Sequence, residues 1–186
     1  MLCPALERVR DLGELMPIRI FVADDHEVVR EGVKSLLRIR PDWEISGESA
    51  NGPDTVASVL ASRPDALVLD LSMPGLNGLE VAKRILTNSN DTKILVFTMH
   101  DSMVLTEEVR KAGAHGLVHK SLAGRDLIRA LEVILDGGTF FESGSGERQS
   151  PGRGTGSKML LFREFGEQAQ NWMASLQRCS ALAVQY

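Results

Sequence analysis

The sequence is poor in the residues that cross-link small secreted proteins. It has two cysteines in 186 residues, Cys3 and Cys179, which lie near opposite ends of the chain. There is no CxxC pair and no ladder of regular cysteine spacings, so neither a disulfide framework nor a zinc site is indicated. No apolar run approaches the roughly 18 residues that span a bilayer, and acidic residues interrupt the start of the chain where a signal peptide would need an apolar stretch. We therefore expect a cytoplasmic protein that does not enter a membrane.

An excess of positive charge is also missing. The chain has 21 basic and 25 acidic residues, a net charge of −4, and this balance argues against nucleic-acid binding through bulk electrostatics. Hydrophobic residues make up 43% of the chain and charged residues 25%, which excludes disorder throughout. At roughly 150 residues per domain, the length allows one α/β domain of about 120 residues and a remainder of about 65.

Five short apolar runs alternate with five segments whose apolar residues recur at spacings of three and four. The short runs are rich in β-branched residues and favour buried strands, whereas the spaced segments favour helices. Asp101 suits a helix N-cap, and Gly113 and Gly137 suit helix ends. The alternation predicts a doubly wound, mostly parallel α/β sheet of five strands, covered by helices on both faces. The predicted strands are Ile18–Ala23, Glu44–Ser49, Ala66–Leu71, Lys93–Thr98 and Gly116–His119.

Glycine and serine concentrate late in the chain and mark the predicted boundaries. Seven of the 17 glycines fall between Gly137 and Gly156, and the stretch from Glu142 to Ser157 is almost free of apolar residues. This composition is typical of a flexible linker. We predict a poorly ordered leader at 1–16, one folded domain at 17–138, a linker at 139–157 and a short amphipathic helical tail at 158–186.

Polar side chains stand at the carboxyl ends of four predicted strands. Asp24 and Asp25 follow the first strand, Asp70 ends the third, Thr98 ends the fourth and Lys120 follows the fifth. Ligands of open α/β sheets gather at this edge. Taken singly, a strand-end aspartate is usually a helix cap or a turn residue. Taken together, three clustered carboxylates would repel one another unless a cation lies among them, and hard oxygen ligands in this number suit Mg²⁺.

The remaining groups of this set predict phosphoryl chemistry. An ammonium and a hydroxyl at the same edge can both bind phosphate oxygens. The central carboxylate, Asp70, is then the candidate nucleophile, which would take up a phosphoryl group as an acyl phosphate. Pro74 fixes a turn directly after it, and this turn would direct the backbone carbonyl of Ser72 toward the metal.

The motifs at these positions resemble the receiver domain of bacterial two-component response regulators. The separations agree with that family: 46 residues from Asp24 to Asp70, 28 from Asp70 to Thr98 and 22 from Thr98 to Lys120. The resemblance covers residues 17–138 and implies a flavodoxin-like (CheY-like) fold with a five-stranded parallel sheet in the order 2-1-3-4-5. The matching segments are VADDH at 22–26, LVLDLSMPGLNGLE at 67–80, FTMHD at 97–101 and KAGAHGLVHK at 111–120.

The resemblance also implies a role for each residue and a partner. A sensor histidine kinase would supply the phosphoryl group, and phosphorylation would pull the threonine inward and bias a two-state loop and helix face. Receivers of this type often pair when phosphorylated, and they are signalling proteins rather than metabolic enzymes. By this resemblance Asp70 would be the phosphoacceptor and a metal ligand. Asp25 would bind the metal directly, Asp24 would bind it through water, and Ser72 would bind it with its backbone carbonyl. Thr98 and Lys120 would bind the phosphoryl oxygens.

The chain departs from the family pattern at Leu117. Family members commonly carry Tyr or Phe at this position, three residues before the lysine. An aromatic rotamer coupled to the threonine cannot operate with a leucine there. The departure leaves phosphorylation expected and bears on how strongly it is read out.

Three other patterns carry weaker interpretations. A haloacid-dehalogenase type of phosphatase needs a second aspartate two residues after the nucleophile, where this chain has Ser72. The segment 152–158 superficially resembles a P-loop but lacks the Gly-Lys-Ser/Thr order and a preceding strand. The four histidines do not indicate a metal site, and we interpret His26, beside the acidic pair, as a helix-start residue that is close enough to touch the site.

A LuxR-like helix-turn-helix domain is the usual companion of this style of receiver, and the sequence does not contain a clear one. Only 30 residues follow from Ser157, and KMLLFREF at 158–165 is the only part that resembles the opening of such a domain. The tail has an apolar stripe at helical spacing, compatible with a helix packed on the receiver or left poorly ordered, a partner-binding helix, or the remnant of an output domain lost by truncation or frameshift. Two hypotheses follow: a transcription regulator whose DNA-binding half is absent or damaged, or a stand-alone receiver that relays phosphate or binds a protein partner without binding DNA.

Overall fold

A computed structural model of the protein describes residues 9–10, 14–88, 91–100 and 102–141. These ranges hold nearly all of the predicted domain. The predicted N-cap residue Asp101, most of the leader, the linker from residue 142 and the tail at 158–186 lie outside the described residues. Within the described part of the chain, none of the helices has the length and apolar character needed to cross a bilayer.

A parallel sheet of six strands forms the centre of the molecule, preceded by a small antiparallel pair, β1 (Val9–Arg10) with β2 (Glu14–Leu15). In chain order the six strands are β3 (Ile18–Ala23), β4 (Trp43–Ser49), β5 (Ala66–Leu69), β6 (Lys93–Thr98), β7 (Gly116–His119) and β8 (Phe140–Phe141). Their spatial order is β4-β3-β5-β6-β7-β8, and every neighbouring pair is parallel. The predicted order 2-1-3-4-5 is therefore confirmed, with one further strand added at the β7 edge.

Five helices connect the strands, as the spacing of apolar residues predicts. Gly113 and Gly137 follow the last turns of the fourth and fifth helices with φ of +87°, a conformation that glycine adopts without strain. The N-cap of the fourth helix is Ser102, whose hydroxyl accepts the Leu105 N–H at 3.0 Å, so the prediction of an N-cap one residue earlier, at Asp101, is wrong. The helices are α1 (Glu27–Leu37), α2 (Gly52–Ser62), α3 (Gly78–Asn88), α4 (Met103–Lys111) and α5 (Ala123–Leu135), with a 3₁₀ turn at Lys120–Leu122 before α5.

The sheet continues past the predicted end of the domain at residue 138. The Phe140 N–H donates to the His115 carbonyl at 3.0 Å, and the Phe140 side chain is buried in the core. Residues 140 and 141 therefore belong to the folded domain, and assigning them to the linker 139–157 is wrong. Burial of an aromatic side chain is the physical reason for the extra strand. Strand β5 is shorter than predicted, so Asp70 is the first residue beyond its end.

Apolar layers cover both faces of the sheet because successive strand residues point to opposite faces. In β3, Ile20 and Val22 pack in the same cluster as residues of α1 and α5, whereas Phe21 and Ala23 pack in the cluster that includes residues of α2, α3 and α4. With both faces covered, the carboxyl edge of the sheet remains for polar side chains.

Candidate functional site

Backbone hydrogen bonds hold two of the predicted site residues side by side at the carboxyl edge of the sheet. The Asp24 N–H donates to the Ser49 carbonyl at 3.1 Å, and the Asp70 N–H donates to the Ala23 carbonyl at 2.8 Å. Each aspartate thus extends the pairing of its strand by one residue, and its position is fixed by the sheet.

Lys120 joins these two carboxylates. Its Nζ lies 2.6 Å from Asp24 Oδ2 and 3.1 Å from Asp70 Oδ2, and the three side chains are each at most 4% exposed. Buried charges persist when they are paired, so the lysine acts as the internal counter-ion of the site. Its ammonium also lies 5.9 Å from the centre of the Phe97 ring, within the range of a cation–π contact.

Asp24 is the most deeply buried carboxylate of the site. Burial raises the pKa of its carboxyl, and the adjacent Lys120 opposes that rise. Oδ1 accepts the His26 N–H at 2.9 Å. A carboxylate that is costly to keep ionised favours a cation beside it.

Asp25 and His26 form the outer rim of the site. The side chain of Asp25 is 30% exposed and that of His26 is 63% exposed, with His26 Nδ1 2.8 Å from Asp25 Oδ1 and 3.5 Å from Asp24 Oδ1. His26 is the N-cap residue of α1, as expected of a helix-start residue, but its side chain makes no capping hydrogen bond. The Asp-Asp-His sequence was the signal that the ring belongs with the acidic pair.

The donor set fits a divalent cation. One ligand atom from each of Asp24, Asp25, His26 and Asp70 can be chosen so that all four lie within 4.8 Å of one another. Three carboxylates against one ammonium leave the site with an excess of negative charge, which a hard cation would neutralise. The structure therefore brings together the three predicted carboxylate ligands and adds a histidine.

Ser72 lies in the loop that follows Asp70 and is exposed. Within this loop, Asp70 Oδ1 accepts the Leu71 N–H at 2.8 Å, and the Gly78 N–H donates to the Leu71 carbonyl at 3.1 Å. These bonds hold the loop against the start of α3. The role of the Ser72 carbonyl as a metal ligand stays a prediction.

Thr98 is fully buried at the end of β6. Its hydroxyl accepts the His100 N–H at 3.1 Å. Its neighbour across the sheet is His119 in β7, whose Nε2 lies 2.7 Å from the Met99 carbonyl and whose Nδ1 lies 2.5 Å from Ser121 Oγ. No sequence motif indicates these two contacts of His119, because one of them depends on a backbone carbonyl.

Leu117 is buried on the same side of the sheet as α3 and α4. This position is therefore filled by an aliphatic side chain packed in the core. His119 lies two residues further along β7, next to the loop after Thr98.

The geometry agrees with comparisons against known proteins. A family model for the response regulator receiver domain matches residues 20–132. The transcriptional regulatory protein DegU of Brevibacillus brevis is 34% identical over 123 residues, 66% of this chain and 52% of DegU. The oxygen regulatory protein NreC of Staphylococcus epidermidis is 39% identical over 126 residues, 67% of this chain and 58% of NreC. The match thus spans little more than half the length of these relatives.

Solved structures show the same architecture. A two-component response regulator of the LuxR family from Aurantimonas sp. SI85-9A1 superposes with a TM-score of 0.64 at 35% identity, over 67% of this chain and 89% of that chain. The isolated receiver domain of RcsB from Salmonella enterica serovar Typhimurium, solved with the phosphomimetic BeF3-, gives a TM-score of 0.64 at 26% identity, over 68% of this chain and 94% of that chain.

Proposed function

The chain belongs to the receiver-domain family of response regulators, and we propose that it accepts a phosphoryl group on Asp70 from a sensor histidine kinase. The observation that carries this proposal is the buried triad of Asp70, Asp24 and Lys120, with Lys120 Nζ 3.1 Å from Asp70 Oδ2. A carboxylate next to a fixed ammonium and two further acidic side chains is equipped to receive a phosphoryl group and stabilise its charge.

In the proposed transfer, an oxygen of the Asp70 carboxylate attacks the phosphorus of a phosphohistidine on the kinase. The new O–P bond forms as the P–N bond breaks, and the electron pair of that bond remains on the imidazole nitrogen. Because Asp70 Oδ1 already accepts the Leu71 N–H, the carboxylate is held in one orientation. Fixed orientation lowers the entropic cost of the attack.

Charge on the transferred group is balanced by this chain's own residues. Lys120 is buried and is therefore not solvated by bulk water. Its ammonium would bind a phosphoryl oxygen. Thr98, at the end of the neighbouring strand, would donate its hydroxyl proton to another, because that hydroxyl uses an acceptor lone pair toward His100 and keeps its proton for donation.

The proposal includes Mg²⁺, which Asp24, Asp25, Asp70 and the Ser72 carbonyl would hold. When bound, the ion supplies positive charge that offsets the repulsion between the carboxylates and the incoming phosphoryl oxygens. The carboxylate ligand atoms lie close enough together to share one ion.

We propose that the chain is cytoplasmic and that its output is control of transcription. Two phosphorylated chains would pair to produce this output. Support comes from the relatives, which include a transcriptional regulatory protein and a DNA-binding transcriptional activator. The match covers 52–67% of the lengths of those relatives. Transcription control by this chain is therefore a proposal.

Acetyl phosphate or beryllofluoride with Mg²⁺ tests the proposal, with Asp70→Asn as the comparison. We expect the wild-type chain to gain one phosphoryl group by mass spectrometry, or to shift its amide resonances around Asp70 and Thr98 with beryllofluoride. Asp70→Asn should do neither. An equal response from both proteins, or no response from either, would remove Asp70 from the phosphoacceptor role.

A further inference from the structure

The His26 ring occupies a position that the start of α1 does not require. At an N-cap, a useful side chain accepts a hydrogen bond from one of the first free N–H groups of the helix. His26 makes no such bond. Its Nδ1 lies instead 2.8 Å from Asp25 Oδ1 and 3.5 Å from Asp24 Oδ1. The ring is thus directed toward the acidic pair.

These separations match those of neighbouring ligands around one small cation. With metal–ligand bonds of about 2.1 Å at right angles, adjacent ligand atoms lie about 3 Å apart. The two distances from His26 Nδ1 lie on either side of that value. On the opposite side of Asp24, the other oxygen is taken by Lys120 at 2.6 Å, so Oδ1 is the atom that shares the rim with His26.

The chemistry of the donor set changes when an imidazole is included. Three carboxylates alone suit Mg²⁺, which prefers oxygen and binds imidazole poorly. An imidazole nitrogen with carboxylate oxygens suits divalent first-row metals later in the series, among them Co²⁺ and Zn²⁺. The acidic site and His26 together therefore offer a mixed nitrogen–oxygen set.

We propose that His26 is an additional, nitrogen ligand of the acidic site and that it lets this site bind late first-row divalent metals such as Zn²⁺ in competition with Mg²⁺. The inference rests on the proposed function, because both ions use the carboxylates placed beside the phosphoacceptor. Occupancy by such a metal would make phosphoryl acceptance sensitive to the metal supply.

The alternative to metal ligation is that the His26 ring acts only on a neighbouring carboxylate. His26 could act only through a hydrogen bond or charge on Asp25, in which case its removal would weaken the binding of any divalent ion to a similar extent. Metal identity separates the two roles, since loss of a nitrogen ligand would weaken Zn²⁺ binding much more than Mg²⁺ binding.

The test is a site-resolved titration of the full chain by NMR with Zn²⁺ and, separately, with Mg²⁺. The amide resonances of Asp25 and Glu27 report the dissociation constant in every variant, so binding elsewhere on the chain does not confuse the result. In the wild type, the imidazole ¹⁵N spectrum should also show a Zn²⁺-dependent shift of His26 Nδ1. The variants are His26→Ala, His26→Asn, which retains a preferred N-cap side chain without an imidazole, and His100→Ala, which removes another exposed histidine.

We expect both His26 variants to weaken Zn²⁺ binding at these amides by about tenfold or more, since loss of even an indirect ligand contact costs this much. Mg²⁺ binding should change by less than about threefold, because it depends on the oxygens. His100→Ala should match the wild type for both ions. An unchanged Zn²⁺ dissociation constant, an equal loss for both ions or a His26 Nδ1 resonance that does not move would each overturn the inference.

The two proposals fail separately. If Asp70→Asn responds to beryllofluoride as the wild type does, the phosphoacceptor role is lost, while a His26-dependent Zn²⁺ site would still stand. If Asp70 is phosphorylated but Zn²⁺ binding ignores His26, only the nitrogen ligand is rejected.

Discussion

A buried lysine holds two of the acidic residues of the site together. Lys120 contacts both Asp24 and Asp70, and all three side chains are almost completely excluded from solvent. Burial raises the pKa of Asp24, with the lysine opposing that rise. Burial of the two carboxylates is therefore unfavourable by itself, and the ion pairs with Lys120 offset that cost.

Lys120→Met should destabilise the fold strongly. Removal of one partner leaves two carboxylates buried without a counter-ion, a loss of about 3–5 kcal/mol in similar cases. The free energy of unfolding, measured with urea at neutral pH without divalent ions, would report it. Lys83→Met, at an exposed position of α3, is the matched control and should change stability by no more than about 0.5 kcal/mol. Equal losses in the two variants would contradict the role of Lys120.

His115 should make the stability of the protein depend on pH. Its Nδ1 accepts the Ile94 N–H at 3.1 Å, so the bond needs the neutral ring, and burial, assisted by the nearby Lys93, lowers the pKa of His115 below 6.5. A lowered pKa means that the unfolded chain binds the proton more readily than the folded one. The stabilisation is therefore complete above pH 6.5 and declines as the pH falls from there through the folded-state pKa.

Urea unfolding of wild type and His115→Asn between pH 8 and pH 5 checks this expectation. Asparagine can accept the same amide hydrogen bond with its side-chain oxygen but does not titrate. The wild type should lose stability relative to the variant as the pH falls below 6.5. Parallel curves for wild type and His115→Asn would mean that the folded-state pKa is not lowered.

At the scale of elements, the loop after β5 is held by a close approach of two backbones. The first residue of α3, Gly78, donates to the Leu71 carbonyl. A Cβ at Gly78 would collide with the backbone oxygen of Asp70 and lie 2.7 Å from Leu71 Cα. Neither of those atoms is on a flexible side chain, so α3 can pack this close to Asp70 only with a glycine.

Gly78→Ala should therefore displace the Asp70 loop. Overpacking against the backbone should cost about 3 kcal/mol of stability, and the Asp70 and Leu71 amide resonances should shift. The comparison is Gly137→Ala, where φ is +87° but nothing lies within 4 Å of the added atom. That variant carries only the strain of a left-handed alanine, about 1–2 kcal/mol. If Gly78→Ala were the milder of the two, the close approach would not control the loop.

At the scale of the whole molecule, features that follow from regular sequence patterns could be predicted, whereas individual side-chain contacts could not. Alternating strands and helices bring Asp24, Asp70, Thr98 and Lys120 to one edge in any doubly wound sheet, so these positions could be read from the sequence. The strand at Phe140–Phe141 is two residues long and follows Gly137-Gly138, too short for a period of two to be visible. The contact between His119 and the Met99 carbonyl depends on side-chain direction, which spacing alone does not specify.

Global stability should depend on divalent ions, because the carboxylates at the carboxyl edge of the sheet come together only in the folded chain. An ion that binds the folded chain and not the unfolded one stabilises it by about 2.7 kcal/mol at one hundred times its dissociation constant. Mg²⁺ should therefore raise the melting temperature in a saturable way, and EDTA should reverse the rise. Asp25→Asn removes a proposed ligand at a partly exposed position and should abolish most of the increment without loss of the fold, whereas NaCl at matched ionic strength should not reproduce it. An identical Mg²⁺-dependent rise in wild type and Asp25→Asn would show that the ion stabilises the chain from a different place.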